Sequence, residues 1–338
     1  MTQPLFEYHR GLHLRDTPLW LDADQPRELC FVSHAQVRDA YRHQKILCSQ
    51  NTAELLQTMA AAHGRGRHAH EPQALVTPFS RTFALGRLSL ELFPSGNILG
   101  AASLLIMNER QRLVYAGVIN PGRNALVERL EARTCDVLVL PDPPPRGFAL
   151  PDPSEIGAKL LRFVAAALDD GYTPVLLCPP IGEAQQAARL LLAAGFGARA
   201  HRQIFAACSV YRARSPEGKS LEGIQRHVGA IDPSAKQALL WPLALHGSSA
   251  LAKVPRARRA VVSPRAHEPE VRAALRCEAG FALSARGDYR ALLEYVRACS
   301  PKRVVVTGSD RDAELAEDLG ALGIEVSQIG PRRQLDLF

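Results

Sequence analysis

The sequence has no apolar run approaching the roughly 18 to 20 residues that span a bilayer, so we expect no transmembrane helix. It also has no Cys-x-x-Cys pair, and its seven cysteines are scattered at positions 30, 48, 135, 178, 208, 277 and 299. An odd, scattered set predicts buried free thiols in a reducing cytosol and argues against a disulfide framework. The start, MTQPLFEYHRG, has no basic segment followed by an apolar one. We therefore expect no signal peptide and a cytoplasmic protein.

Acidic residues are fewer than basic ones, with 34 Asp and Glu against 41 Lys and Arg and a net charge of +7. This balance fits a surface that binds a polyanion such as a nucleic acid. A solvated basic surface explains the same balance equally well. Hydrophobic residues make up 46% of the chain of 338 residues, enough for a large core in two domains or in one domain with an insertion.

A proline-rich span separates a part of the chain with strand-like patterns from a part in which helices and strands alternate. Upstream of the proline-rich span 141–153 (PDPPPRGFALPDP), short apolar runs separated by turn residues predict strands. The prolines of this span cannot continue a helix or lie inside a sheet, so we interpret it as a domain boundary. Beyond it, a helix at 154–169, a strand at 173–178 and a helix at 182–194 predict a parallel α/β unit. Strands and helices alternate again after residue 256.

Short stretches along the chain resemble one family of metal-dependent nucleases. They are Trp20-Leu21-Asp22, Phe31-Val32-Ser33-His34-Ala35, residues 93–102 (FPSGNILGAA), Tyr115-Ala116-Gly117-Val118, residues 281–289 (FALSARGDY) and residues 304–308 (VVVTG). Their order resembles the metallo-β-lactamase fold with a β-CASP insertion. In particular, it is similar to the bacterial ligase-associated exonucleases, which are relatives of the DNA cross-link repair and mRNA 3′-end processing nucleases.

The resemblance implies an α/β fold, namely an αββα metallo-β-lactamase sandwich that carries a β-CASP-like parallel α/β domain. We therefore predict a first part of the sandwich at 1–145 and the insertion at 146–255. The second part of the sandwich follows at 256–330, and a flexible tail at 331–338 ends the chain.

The resemblance also implies where two metal ions would bind in an active relative, and most of those positions carry other residues here. His34 keeps the first histidine of the metal motif, and Asp22 persists behind it. The positions implied to be ligands but now altered are Gln36, Arg38, Asp39, Asn97, Val118, Ala285, Arg286 and Gly308. Two metal ions need several imidazoles and carboxylates in one cavity. We expect no bound metal and no catalytic residue.

Two of the altered positions carry cations. Arg38 and Arg286 could occupy the places of the lost metal ions and pair with Asp22, Asp39 or Asp288, or they could point to solvent. The alternative to metal loss is an active nuclease that binds zinc or manganese through displaced ligands, with His43 joining His34, Asp22 and Asp39.

Two further segments are candidate binding sites. A basic stretch could follow a phosphate backbone or be a solvated loop, and its cations are Lys253, Arg256, Arg258, Arg259 and Arg265. The chain ends in Gln334, Leu335, Asp336, Leu337 and Phe338, which resembles the peptide with which bacterial polymerases and repair proteins dock on the sliding clamp. A few apolar anchors can give such a peptide its affinity. Packing of the same residues onto the protein's own core is the alternative.

The sequence as a whole predicts a catalytically inactive, nuclease-like adaptor in DNA repair or processing, which docks on the sliding clamp. Its expected partners are DNA, the clamp and, from the resemblance, a DNA ligase, a helicase or an active nuclease, with no membrane. An active metal-dependent exonuclease and an RNA-processing subunit are the alternatives.

Overall fold

The computed structural model describes residues 5–9, 11–63, 71–229, 235–308 and 312–330. In these ranges the strands are β1 (Phe6–Tyr8), β2 (Leu12–Leu14), β3 (Leu19–Leu21), β4 (Leu29–Phe31), β5 (Lys45–Cys48), β6 (Gln73–Val76), β7 (Thr82–Leu85), β8 (Leu88–Pro94), β9 (Ala102–Met107), β10 (Arg112–Tyr115), β11 (Val137–Pro141), β12 (Thr173–Cys178), β13 (Gly197–Ala200), β14 (Gln225–Arg226), β15 (Gln237–Pro242), β16 (Ala257–Val262), β17 (Ala279–Phe281), β18 (Arg303–Thr307) and β19 (Glu325–Ile329). The α-helices are α1 (Gln50–Ala62), α2 (Pro153–Asp169), α3 (Glu183–Ala193), α4 (Arg202–Arg214), α5 (Ser249–Ala252), α6 (Pro269–Ala274), α7 (Tyr289–Cys299) and α8 (Asp312–Gly320).

The strands form three sheets. The first has the order β1-β2-β3-β4-β5-β6, and the second has the order β19-β18-β11-β10-β9-β8-β7. In the second sheet the pairs β10–β11, β11–β18 and β18–β19 are parallel, while the pairs β7–β8, β8–β9 and β9–β10 are antiparallel. The third sheet, β14-β13-β15-β12-β16-β17, is parallel throughout. The predicted mixed α/β class is confirmed.

The first two sheets pack face to face, with a helix layer on each outer side. Leu14, Leu19 and Phe31 of the first sheet share a buried core with Leu90 and Tyr115 of the second. On the outer side of the first sheet α1 buries Leu55 and Met59, and on the outer side of the second sheet α7 and α8 complete another core. The layer order is therefore helix, sheet, sheet, helix.

The parallel sheet is inserted between β11 and α7, and helices cover both of its faces. Helices α2, α3 and α4 pack on one face, and α5 with the residues around α6 packs on the other. Helix α2 begins at Pro153, one residue before the predicted start, and Asp152 caps it through the backbone N–H groups of Ser154 and Glu155. The insertion meets the sandwich where α4 packs on α1, and Arg214 and Glu54 form an ion pair there at 2.8 Å.

The parallel sheet extends further along the chain than the predicted insertion. Strand β16 pairs with β12, and β17 pairs with β16, so the sheet reaches Phe281 and not residue 255. The predicted return to the sandwich at residue 256 was therefore too early. The arginines at the start of β16 led to its interpretation as a basic loop. Its last residues, Ala260 to Val262, are nevertheless buried in the sheet.

Two other expectations can be compared with the structure. All seven cysteines are free, and six of them are buried. Within the described ranges, no helix combines the length and the apolar character required to cross a bilayer.

Candidate functional site

The site implied by the sequence lies at the seam between the sandwich and the insertion, and its centre is the backbone of Ala285. The Ala285 carbonyl accepts hydrogen bonds from the side-chain amides of Asn97, at 2.7 Å, and Asn120, at 3.0 Å. The Ala285 N–H donates to the Glu183 carboxyl at 3.0 Å. We call these four residues the Ala285 latch. All four are buried. The latch joins a loop after β8, a loop after β10, the start of α3 and the segment before α7.

The first residues of α3 bring the insertion against the latch. Gly182 precedes α3 at a φ of +93°, and a Cβ there would lie 2.9 Å from the Ala285 Cβ and 3.0 Å from the Ile98 Cγ2. Next to it, the Gln36 side-chain amide donates to the Ile181 carbonyl at 3.0 Å. Gln36, one of the altered positions, therefore holds the insertion to the sandwich.

Burial makes this seam unfavourable for charge. The pKa of His34 falls to about 3, mainly because burial disfavours the charged ring and also because the Arg286 cation is near. The His34 Nδ1 accepts a hydrogen bond from the Gln36 N–H at 3.1 Å. Burial also raises the pKa of Glu183, while the Ala285 N–H and Arg286 partly oppose that rise. His34 is a neutral acceptor at neutral pH.

Asp22 persists because of hydrogen bonds within the sandwich. Its carboxylate accepts from the Ser33 N–H at 2.7 Å, the Ser33 hydroxyl at 2.5 Å and the Tyr115 hydroxyl at 3.0 Å. Burial is the main influence on this carboxyl and raises its pKa, with the three hydrogen bonds acting in the opposite direction. Asp22 thus joins the turn after β4 to the end of β10.

Of the two alternatives left open for Arg38 and Arg286, the structure favours projection to solvent over pairing with Asp22, Asp39 or Asp288. Asp39 pairs with Arg42 at 3.1 Å. Asp288 caps α7 through the Ala291 N–H and also accepts from the Leu150 N–H. Both arginines are exposed, and neither guanidinium makes a hydrogen bond or ion pair with a described residue. The Asp carboxylates are satisfied by backbone and hydroxyl donors and, for Asp39, by Arg42, so Arg38 and Arg286 project to solvent.

The remaining altered positions provide no metal ligand. Val118 is half-buried after β10, and Gly308 follows β18 at a φ of +75°. His43 is buried, and its Nδ1 accepts from the Arg27 N–H at 3.2 Å. Among the residues that the structure describes, no three His, Cys, Asp or Glu side chains group as a metal site would require. The zinc pair implied by the family resemblance does not fit this set of donors.

The basic stretch that was predicted to contact nucleic acid is partly neutralised within the protein. Arg258 pairs with Asp170 at 2.8 Å and with Glu278 at 3.0 Å. Arg265 pairs with Glu268 at 2.6 Å. Arg256 donates to the Asp170 carbonyl and lies over the Tyr172 ring.

The two other cations of this stretch differ in exposure. Lys253 is exposed after α5, and Arg259 is half-buried in β16. The stretch therefore offers less free positive charge than its sequence predicts.

Sequence reasoning missed two members of the Ala285 latch, Asn120 and Glu183. Neither matches a ligand position of the family motif. Glu183 is an acidic residue in the first turn of a helix, a pattern typical of an exposed helix start. The predicted clamp-binding residues 334–338 lie outside the described residues.

Comparisons with known proteins find similarity in sequence and in fold. No protein-family model matches the chain. The chain is 27% identical over 339 aligned residues to a protein from Opitutus terrae named "Probable DNA ligase"; the alignment covers 98% of this chain and 32% of that protein. The chain thus spans about a third of the length of this relative.

One solved structure with a similar fold is the crystal structure of a protein of unknown function from Enterococcus faecalis V583, with a TM-score of 0.54 and 12% identity. The match covers 82% of this chain and 74% of that chain. At this identity the likeness concerns the fold alone, and it agrees with a mixed α/β architecture.

Proposed function

We propose that this protein is a non-catalytic relative of the β-CASP nucleases that acts in DNA processing together with a DNA ligase. The observation that carries the proposal is the Ala285 latch. A peptide group held by two amides and a carboxyl occupies the region where an active relative would gather metal ligands. An active relative would attack the phosphodiester with a metal-bound hydroxide, and the donors at this seam do not suit the metal pair that would hold it.

The architecture supports the family assignment. The helix, sheet, sheet, helix layering is the one expected of a metallo-β-lactamase sandwich, and a parallel sheet with helices on both faces is expected of a β-CASP insertion. We propose that the insertion runs from about the proline-rich span to Phe281, where the parallel sheet ends.

The ligase partnership is supported by the relative from Opitutus terrae. The protein named "Probable DNA ligase" contains a counterpart of nearly this whole chain in about a third of its length. Two functions joined in one polypeptide often act on the same substrate. We infer that the present chain binds DNA or a ligase at sites of strand joining.

The rival proposal of an active nuclease with displaced ligands has less support. Asp22, His34, Asp39 and His43 each have a hydrogen-bond partner inside the sandwich. We therefore expect the purified protein to bind labelled single- or double-stranded DNA and leave it intact when Mn²⁺ or Zn²⁺ is added. Gel analysis of the labelled strands measures this outcome.

We also propose that residues 334–338 dock on the sliding clamp. Leu335, Leu337 and Phe338 would enter an apolar pocket, and Gln334 would bond at its rim. Removal of these five residues should abolish clamp binding in a pull-down and leave the free energy of unfolding unchanged. Clamp binding that survives the deletion would reject the docking proposal.

A further inference from the structure

The carboxyl end of the parallel sheet carries a row of basic and aromatic side chains on three neighbouring strands. Ala200 of β13 lies beside Arg226 of β14 and beside Leu240 of β15. The next residue on each strand is therefore at the same level of the sheet, and these three residues are His201, His227 and Trp241. Ligands of open parallel sheets bind in the crevice outside this edge.

Contacts hold the row together. The His201 and Trp241 rings are 4.7 Å apart, and the His227 and Trp241 rings are 5.8 Å apart. The Trp241 indole donates to the Leu245 carbonyl at 3.1 Å, which fixes the shared ring. Trp241 is buried, so its ring acts as a support for the two histidines.

The hydrogen bonding of His201 leaves one ring N–H as a donor. The His201 Nδ1 accepts from the Gln203 N–H at 3.3 Å at the start of α4. In a neutral ring the proton then lies on Nε2. The pKa of His201 falls to about 4, first because of burial and then because of the nearby basic residues Arg202, His227, His63 and Arg226. The ring is therefore neutral at pH 7 and lies near the guanidinium cations of Arg202 and Arg226.

Two free cations border this row. Arg202 and Arg226 are exposed, and across the described ranges neither guanidinium forms a hydrogen bond or ion pair. Arg202 is the first residue of α4, whose positive end faces the same region. His63, at the end of α1, adds a basic group from the sandwich side. An unpaired arginine at a helix start and a second one at a neighbouring strand end suit a phosphate ligand.

We propose that His201, Arg202 and Arg226 form a binding site for the phosphate groups of a DNA strand. The two arginines supply charge, and the neutral His201 supplies an N–H donor. Exposed Val228 adjoins the row and offers an apolar surface to a sugar or base. The proposal rests on the DNA-processing function proposed above and names the surface that holds the strand.

The test measures affinity by fluorescence anisotropy with a 5′-labelled single-stranded DNA oligonucleotide over a series of salt concentrations. The variant is Arg202→Gln/Arg226→Gln, in which both substitutions are on the surface. We expect binding about tenfold or more weaker and a log–log salt slope lower by about 1.4, since each lost phosphate contact removes about 0.7. The matched control is Arg110→Gln/Arg290→Gln, which removes the same charge from exposed positions outside the row.

Unchanged affinity in the first variant, or an equal loss in the control, would overturn the site. A second measurement follows the NMR resonances of the His201 imidazole during titration with inorganic phosphate. These resonances should shift in the wild type and remain unchanged in the Arg202→Gln/Arg226→Gln variant. If phosphate shifts the His201 resonances but the wild type binds no DNA, the phosphate site is supported and the proposed DNA function is rejected. If the wild type and the Arg202→Gln/Arg226→Gln variant bind DNA equally well, the phosphate site is rejected and the proposed DNA function is retained. Tighter binding of an RNA oligonucleotide of the same sequence would overturn the assignment to DNA.

Discussion

Substitution of Gly182 by alanine should destabilise the protein by about 2–4 kcal/mol. Gly182 has a φ of +93° and a ψ of −87°, a conformation that residues with a side chain rarely adopt. The added methyl would also lie 2.9 Å from the Ala285 Cβ and 3.0 Å from the Ile98 Cγ2. Either the start of α3 or the Ala285 latch must then move. The free energy of unfolding from urea titration measures the loss.

Gly195 provides the matched control for this prediction. It also has a positive φ, +80°, but a Cβ there would meet no heavy atom within 4 Å. Gly195→Ala should therefore cost only about 1 kcal/mol, from backbone strain alone. Equal losses of unfolding free energy in the two variants would mean that Gly182 is not closely packed against the Ala285 latch.

The second prediction concerns the two amides on the Ala285 carbonyl. Asn97→Ala and Asn120→Ala each leave that buried carbonyl with one donor, so each substitution should cost about 1–2 kcal/mol. The double variant leaves the carbonyl without a donor. It should lose about 1–3 kcal/mol more than the sum of the two single losses. Denaturant unfolding of the wild type, the two single variants and the double variant measures all four free energies of this double-mutant cycle.

Asn124 serves as the control for this cycle. Its side chain accepts from the Leu126 N–H at 3.0 Å and makes no hydrogen bond to Ala285. Losses for Asn97→Ala and Asn124→Ala should therefore be additive. Additive losses for Asn97→Ala and Asn120→Ala would contradict the latch, because the two amides would then act independently.

The elements with strong local signals were predictable. The predicted strand 303–307 is β18, and the predicted helix 154–169 is one residue shorter than α2. In both elements the apolar residues recur with a single, regular spacing from the first residue to the last. In addition, Asp152 and Pro153 are typical residues for the start of a helix such as α2. The α/β class follows from such elements because their order alone favours it.

The end of the parallel sheet was not predictable in the same way. Strand β16 begins Ala257-Arg258-Arg259, and its cations resemble a loop in the sequence. Arg258 is tolerated on the strand because Asp170 and Glu278 flank it in space, 88 and 20 residues away in the chain. Such neutralising partners come from tertiary structure and leave no local pattern.

The site was predictable only in part, for a related reason. The positions that the resemblance implies to be ligands could be read from the motifs, but the hydrogen bonds that the structure places there could not. Glu183 reaches Ala285 across 102 residues of sequence. Likewise, the register of β13 and β14 pairs Ala200 with Arg226 and so brings His201 level with His227, and no spacing in the sequence indicates it.

The central claim is that the seam binds no metal pair and cleaves no DNA. The most direct measurement is cleavage of labelled single- and double-stranded DNA by the purified protein with Mn²⁺ or Zn²⁺, beside a His34→Ala variant. We predict intact strands with both proteins, because Ala285 and its partners fill the seam and His34 is a neutral hydrogen-bond acceptor. Cleavage by the wild type that disappears in the His34→Ala variant would contradict this account.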